Sequence, residues 1–133
     1  DYSVLAGKRI LLVEDNALNM EIARAILCEH GLNVDEAENG QSAYDCFASS
    51  EPGTYEAVLM DLQMPVMDGC TAARMIRASS HPQARTIPII ALTANAFAED
   101  VARALTSGMN YHIAKPIDFH QLLHALKQFI VSG

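Results

Sequence analysis

Acidic, hydroxyl and basic side chains stand at the ends of four apolar segments of this sequence. Glu14 and Asp15 follow the first of these segments, Asp61 follows the next, Thr93 ends another, and Lys115 follows the last. In a parallel sheet the carboxyl ends of the strands share one edge, so we expect these side chains to converge. Carboxylates beside a hydroxyl and an ammonium group can bind a divalent cation together with a tetrahedral oxyanion such as phosphoryl.

The apolar segments have the composition of buried strands. Residues 57–60 run straight into Asp61, and Pro65 then interrupts regular structure. A short apolar run bounded by turn signals indicates a strand covered on both faces. Further strands are predicted at residues 9–13, 34–37 (an edge strand with acidic interruptions), 88–93 and 112–114.

Helical periodicity fills the intervals between these strands. Capping residues mark several helix starts, among them Asn16, Asn39 and Asp68, and Asp118 with Gln121 resembles a capping box. The apolar faces that we expect to pack on the sheet are, helix by helix, Leu18, Ile22, Ala25 and Ile26; Ala43, Tyr44 and Phe47; Ala72, Ala73 and Ile76; Phe97, Val101 and Leu105; and Phe119, Leu122, Leu123, Leu126, Phe129 and Ile130.

The alternation of strands and helices predicts an α/β fold, with a doubly wound, five-stranded parallel sheet flanked by five helices. The 133 residues suit one domain, and the net charge of −7 argues against nucleic acid as a direct partner. Cys28, Cys46 and Cys70 are scattered, which favours a reducing, cytoplasmic setting over disulfides or zinc. No apolar run approaches the roughly 20 residues that a membrane-spanning helix needs.

A structural alternative exists for each polar strand end, since any one of these residues could serve in a salt bridge or a helix cap. Structural ion pairs rarely gather on a single edge of a sheet, however, and four strand ends contribute here. The combined pattern therefore favours a site for a hard divalent cation and a phosphoryl group.

The quoted motifs resemble the response-regulator receiver domain. The resemblance rests on Glu14-Asp15-Asn16, the segment Asp61-Leu62-Gln63-Met64-Pro65-Val66-Met67-Asp68-Gly69, the Ala91-Leu92-Thr93-Ala94 turn and Lys115-Pro116, and it extends over about residues 8–130. It implies a flavodoxin-like sheet in the order 2-1-3-4-5 and a phosphoacceptor function in a two-component phosphorelay.

The resemblance also implies a role for each site residue. Asp61 would accept the phosphoryl group, and Lys115 and Thr93 would contact it. Mg²⁺ (or Mn²⁺) would be bound by Asp15, Asp61 and the carbonyl oxygen of Gln63, with Glu14 assisting through water. The phosphoryl donor would be a phosphohistidine on a kinase or a histidine phosphotransfer domain.

Three further implications concern residues around this site. Gln63 and Asn95 occupy the positions that tune hydrolysis, and because neither side chain can act as a general base, we expect slow self-hydrolysis. The Lys115–Pro116 peptide bond is expected to be cis. His112 stands where receivers usually carry tyrosine or phenylalanine, which predicts a switch with Thr93 in which His112 turns inward only weakly; alternatively, His112 is a solvated edge residue.

Two rival classes use similar architecture. A phosphatase of the haloacid-dehalogenase type would require a second acid where Gln63 stands, and a flavin-binding module would require a phosphate loop where Glu14-Asp15-Asn16 stands. His120 and His124 have the helical spacing of zinc ligands but lack a third ligand, which favours a solvent-exposed role. We name no partner for His30 or His81, and Met60, Met64, Met67 and Met109 are interpreted as packing residues.

The expected organisation is a linker remnant at residues 1–8, a receiver domain at 9–130 and a tail at 131–133. The start at Asp1 and the residues around positions 5–9, 19 and 108–118 favour a receiver fused to a hybrid sensor histidine kinase. The open alternative is a stand-alone or differently fused regulator. The domain would catalyse its own phosphorylation and dephosphorylation and would be cytoplasmic, whether or not its parent kinase is anchored in a membrane.

Overall fold

Five strands form one parallel sheet in a computed structural model that describes residues 2–94 and 98–131. The strands are β1 (Arg9–Val13), β2 (Asn33–Ala37), β3 (Ala57–Asp61), β4 (Ile89–Thr93) and β5 (Tyr111–Ala114). Their order is β2-β1-β3-β4-β5, which confirms the predicted doubly wound architecture.

Five α-helices connect the strands: α1 (Ala17–Glu29), α2 (Gly40–Ala48), α3 (Gly69–Ala78), α4 (Ala98–Thr106) and α5 (Phe119–Val131). The side chains of Asn16, Asn39 and Asp68 each accept a hydrogen bond from a backbone N–H in the first turn of the following helix. Asp118 accepts bonds from the backbone N–H groups of His120 and Gln121. These predicted caps therefore start their helices as expected.

The sheet separates two hydrophobic layers. One layer contains the buried residues of α1 and α5 together with Ile10 and Leu12, and the other contains those of α2, α3 and α4 together with Leu11 and Val13. All five residues of β3 and of β4 are buried, because helices cover both faces of these central strands.

The buried face of α1 differs from the predicted one. Met20, Ala23 and Leu27 pack into the core, whereas Leu18 is 64% exposed and Ile22 is 47% exposed. Both sets have helical spacing, so periodicity alone did not identify the stripe that faces the sheet.

The predicted apolar face of α4 is also wrong in part. Ala104 and Asp100 are buried and Leu105 is 54% exposed, while Val101 is half-buried. Phe97, the third residue of that predicted face, lies outside the described residues. The predicted faces of α2, α3 and α5 agree with the buried residues of those helices.

The segment before β1 packs against the domain. Ser3–Leu5 form a 3₁₀ helix, and Leu5 is completely buried in the layer that contains α1 and α5. The hydroxyl group of Tyr2 lies 2.8 Å from Nδ1 of His120. Residues 1–8, which were expected to be a linker remnant, thus contribute the side chain of Leu5 to the core. The domain limits at residues 9 and 130 stay a prediction.

Arg77 of α3 links three separate segments. Its guanidinium donates hydrogen bonds to the carbonyl oxygens of Gly108 (2.9 Å) and Ala84 (3.2 Å) and to Oδ1 of Asn110 (2.9 Å). The same Oδ1 accepts a bond from the backbone N–H of Ile89, at the start of β4. This arginine therefore fixes the loops that precede β4 and β5.

Within the described residues, no helix has the length and apolar content needed to cross a lipid bilayer.

Candidate functional site

Three carboxylates converge at the carboxyl edge of the sheet. Each of Glu14, Asp15 and Asp61 has a carboxylate oxygen within 4.8 Å of the others. Val13 pairs with Met60 in the sheet, and this register brings the residue after β1 alongside the last residue of β3. Glu14 and Asp61 are 4% and 5% exposed, whereas Asp15 faces solvent. The strand ends therefore converge as the sequence predicted.

Lys115 bridges two of these carboxylates. Its Nζ lies 2.9 Å from Oε2 of Glu14 and 3.0 Å from Oδ2 of Asp61. The backbone N–H of Lys115 donates to the carbonyl of Thr93, which extends the β4–β5 pairing by one residue and directs the lysine to the shared edge. The ammonium group thus lies between the two buried acids.

Backbone groups occupy the remaining oxygens of the buried acids. The N–H of Asn16 donates to Oε1 of Glu14 (3.1 Å), and the N–H of Gln63 donates to Oδ1 of Asp61 (3.2 Å). Each buried carboxylate therefore has one backbone donor and one bond to Lys115, which compensates part of the cost of removing it from water.

Burial raises the pKa of Asp61 to about 6. Lys115 opposes this shift through its hydrogen bond and its charge, and nearby Glu14 adds to it. Burial alone would lower the pKa of Lys115, but its bonds to Glu14 and Asp61 outweigh burial and leave that pKa above its ordinary value. Near neutral pH the site thus combines an ionised Asp61 with a protonated Lys115.

Two glycines allow the loop after β3 to approach its neighbours closely. A Cβ atom on Gly69 would lie 2.2 Å from the carbonyl oxygen of Asp61, and one on Gly40 would lie 2.6 Å from that of Met67. The backbone N–H of Gly69 donates to the carbonyl of Leu62 (3.0 Å). These contacts fix the loop that carries Gln63 beside the acids.

The residues expected to surround the acids lie at or near the same edge. Thr93 is 2% exposed at the end of β4, and the Lys115–Pro116 peptide bond is cis. His112 is half-buried in β5, and the centroid of its ring lies 6.0 Å from that of Tyr111. Its role as a switch stays a prediction, and Asn95 lies outside the described residues.

Several contacts here and elsewhere were not visible in the sequence. The Lys115–Glu14 pair joins residues that are 101 positions apart. His81, for which no partner was named, has Nε2 2.9 Å from the carbonyl of Ser50 and Nδ1 3.0 Å from the N–H of Gln83, so it holds two loops together. Nδ1 of His30 lies 3.3 Å from the carbonyl of Ile26.

This fold and edge arrangement match a known family. The family model described as "Response regulator receiver domain" matches residues 10–127, so the chain belongs to the response-regulator receiver domain family. Among curated proteins, it is 38% identical over 124 residues to hybrid signal transduction histidine kinase M of Dictyostelium discoideum. That match covers 92% of this chain and 5% of the kinase, and the chain spans no more than 16% of the first curated relatives it matches.

Solved structures show the same fold. The receiver domain of the sensor histidine kinase PA1611 from Pseudomonas aeruginosa, which has magnesium coordinated in its active-site cleft, is 40% identical with a TM-score of 0.85. This match covers 95% of our chain and 99% of that one. The Saccharomyces cerevisiae receiver domain of Ssk1, solved with the histidine phosphotransfer protein Ypd1, is 31% identical with a TM-score of 0.83, covering 96% and 91% of the two chains.

Proposed function

We propose that this receiver domain accepts a phosphoryl group on Asp61. The observation that carries the proposal is the bridged acid cluster: Glu14, Asp15 and Asp61 within 4.8 Å of one another, with Lys115 bonded to two of them. Asp61, the last residue of β3, is a buried carboxylate with an ammonium partner, so it can attack phosphorus while its charge remains compensated.

In the proposed reaction, a carboxylate oxygen of Asp61 attacks the phosphorus atom of a phosphohistidine on a partner protein. The new O–P bond forms an acyl phosphate as the P–N bond breaks, and the leaving imidazole takes up a proton. With a pKa of about 6, Asp61 is ionised and nucleophilic at neutral pH. Lys115 exchanges its bond with Asp61 for one with the phosphoryl oxygens, and the hydroxyl of Thr93 contacts the same oxygens.

The donor set at this edge fits a magnesium ion. Mg²⁺ prefers hard oxygen ligands and usually binds through one or two carboxylates while keeping several of its waters. We assign Asp15, Asp61 and the carbonyl oxygen of Gln63 as ligands, with Glu14 acting through water; Mn²⁺ would accept the same oxygens. When bound, the cation neutralises charge on the phosphoryl oxygens.

The proposed donor is a kinase or phosphotransfer protein that carries the phosphohistidine, as the Ypd1–Ssk1 complex suggests by similarity. The exposed side chains of Leu18 and Ile22 on α1 support a protein partner, since large exposed apolar residues beside a site favour docking. Ile22 also lines a cavity of about 510 Å³ that reaches Glu14, Lys115 and Pro116.

This domain is proposed to be a cytoplasmic part of a hybrid sensor histidine kinase, because its curated relatives include hybrid signal transduction histidine kinases M and L of Dictyostelium discoideum. A stand-alone or differently fused regulator is the alternative. Slow self-hydrolysis, attributed to Gln63 and Asn95, and the switch by Thr93 and His112 belong to the same proposal.

Acetyl phosphate with Mg²⁺ tests the assignment. Intact-mass spectrometry should show one added phosphoryl group on the wild-type chain and on Asp45→Asn, which changes an exposed acid on α2. Asp61→Asn, or excess EDTA, should abolish the adduct. A phosphoryl group that persists in Asp61→Asn would show that another residue is the acceptor.

A further inference from the structure

Val66 occupies a strained turn in the loop that follows β3. Its φ angle is 70°, and the backbone N–H of Met67 donates to the carbonyl of Pro65 at 2.7 Å. A hydrogen bond across three residues with positive φ at the centre forms a γ-turn of the rarer, strained kind. A β-branched residue is especially unfavourable there, because its side chain crowds the backbone.

The conformation is imposed by the ends of the loop. The carbonyl of Met67 accepts a bond from the N–H of Gly40 at 2.9 Å, and the side chain of Met67 packs against the layer that contains α2 and α3. On the other side of the turn, Gly69 bonds back to Leu62. With both ends fixed, the residue at position 66 must adopt positive φ whatever its side chain is.

The valine side chain gives the fold no compensation for this strain. It is 83% exposed, more than any other large hydrophobic residue in the described part of the chain. Glycine or asparagine would adopt positive φ more readily, and a polar side chain would suit the exposure better. A residue that breaks a local rule without helping the fold points to a functional contact.

Its position indicates what that contact is. Val66 lies five residues after Asp61, in the loop that forms one rim of the site, and Asp61 itself is only 5% exposed. A protein that delivers a phosphoryl group to a recessed carboxylate must cover this rim. We infer that the Val66 side chain contacts the phosphohistidine-bearing partner and contributes to its recognition, an inference that rests on the proposed function.

The experiment compares phosphoryl transfer from a protein donor with phosphoryl transfer from a small-molecule donor. Val66→Asn relaxes the turn and removes the apolar side chain, whereas Val66→Ile keeps the β-branch and the apolar character and serves as the matched control. Each variant receives phosphoryl groups from phosphorylated Ypd1 and from phosphoramidate, a small donor with the same P–N bond. Thermal unfolding is measured in parallel.

For Val66→Asn we expect a higher Tm, because the strain in the turn is relieved. We also expect kcat/KM for phosphorylated Ypd1 to fall about tenfold, the effect of no longer burying one valine side chain against the partner. The rate with phosphoramidate should stay unchanged, and Val66→Ile should match wild type in all three measurements. Equal transfer from Ypd1 to wild type and Val66→Asn, or no transfer to wild type at all, would overturn the inference. Failure of phosphoramidate to label wild-type Asp61 would instead contradict the proposed function.

Discussion

At Asp61, burial and the charge of Glu14 oppose ionisation, while Lys115 favours it. The net result is a folded-state pKa of about 6, above the ordinary value of 3.8. The folded state therefore binds the Asp61 proton more tightly than the unfolded state does. Ionised Asp61 thus destabilises the metal-free fold: the effect is absent below pH 3.8, develops between pH 3.8 and 6, and is complete above pH 6.

Asp61→Asn should accordingly stabilise the metal-free protein at pH 7.5, by roughly 1–3 kcal/mol, because it removes this buried charge. At pH 3.5, where Asp61 is protonated in both states, the difference should largely vanish. Urea unfolding in EDTA at the two pH values measures this difference in the free energy of unfolding between the variant and the wild type. Mg²⁺ should raise the stability of the wild type at pH 7.5 and have much less effect on Asp61→Asn. A variant that is less stable than wild type at pH 7.5 in EDTA would contradict the inferred pKa.

Gly69 illustrates a second constraint on single residues. Alanine there would place Cβ 2.2 Å from the backbone oxygen of Asp61, and because this neighbour is backbone, it cannot simply rotate away. We expect Gly69→Ala to lower the free energy of unfolding by several kcal/mol, of the order seen for severe overpacking. Gly53→Ala is the control, since Gly53 has φ 88° but open space around it.

The expected cost of Gly53→Ala is only about 1 kcal/mol of backbone strain. Chemical denaturation of both variants measures the loss in free energy of unfolding that each substitution causes. Equal losses would show that the loop after β3 shifts to accommodate a methyl group.

Among the secondary-structure elements, the short 3₁₀ helix before β1 contributes unexpectedly to the core. Leu5 is fully buried, whereas its neighbour Val4 is 39% exposed. Leu5→Ala should therefore cost about 2–4 kcal/mol of stability through lost burial and a new cavity, and Val4→Ala should cost well under 1 kcal/mol. Urea unfolding measures both losses in free energy of unfolding from the shifts of the midpoints, provided that the m-values are unchanged. Similar small losses would mean that the segment detaches readily in solution.

The sequence predicted strands better than helix faces, for a physical reason. Buried strands such as β3 and β4 are apolar up to their last residue, so no choice of face is needed. Helix α1 carries apolar residues on two stripes, and only packing against the sheet selects Met20 over Leu18. The convergence of the strand-end acids was predictable, because a parallel sheet places the carboxyl ends of its strands at one edge. The Lys115–Glu14 bond was not predictable, because it depends on side-chain geometry that residue spacing does not determine.

For the molecule as a whole, the sheet divides the core into two layers, and no side chain of the described residues belongs to both. Leu126 of α5 lies in one layer and Ile76 of α3 in the other. Mutations at distant, separately packed sites have additive effects. The losses in free energy of unfolding caused by Leu126→Ala and Ile76→Val should therefore sum in the double mutant to within about 0.5 kcal/mol. A larger discrepancy in denaturant unfolding would show that the layers communicate through the strands.

The three bonds of Arg77 have a consequence for how the native state opens. The guanidinium donates hydrogen bonds to Gly108, Ala84 and Asn110. The backbone N–H of Ile89 donates to Oδ1 of Asn110, and the backbone N–H of Asn110 donates to the carbonyl oxygen of Ile89. In native-state hydrogen exchange, the amides of Ile89 and Asn110 should open together as one cooperative unit, with a common protection factor. Arg77→Lys should lower both factors equally, since lysine cannot reproduce the planar fork, whereas Arg74→Lys on the exposed side of α3 should change neither. Unequal loss at the two amides would show that the ends of β4 and β5 fray independently.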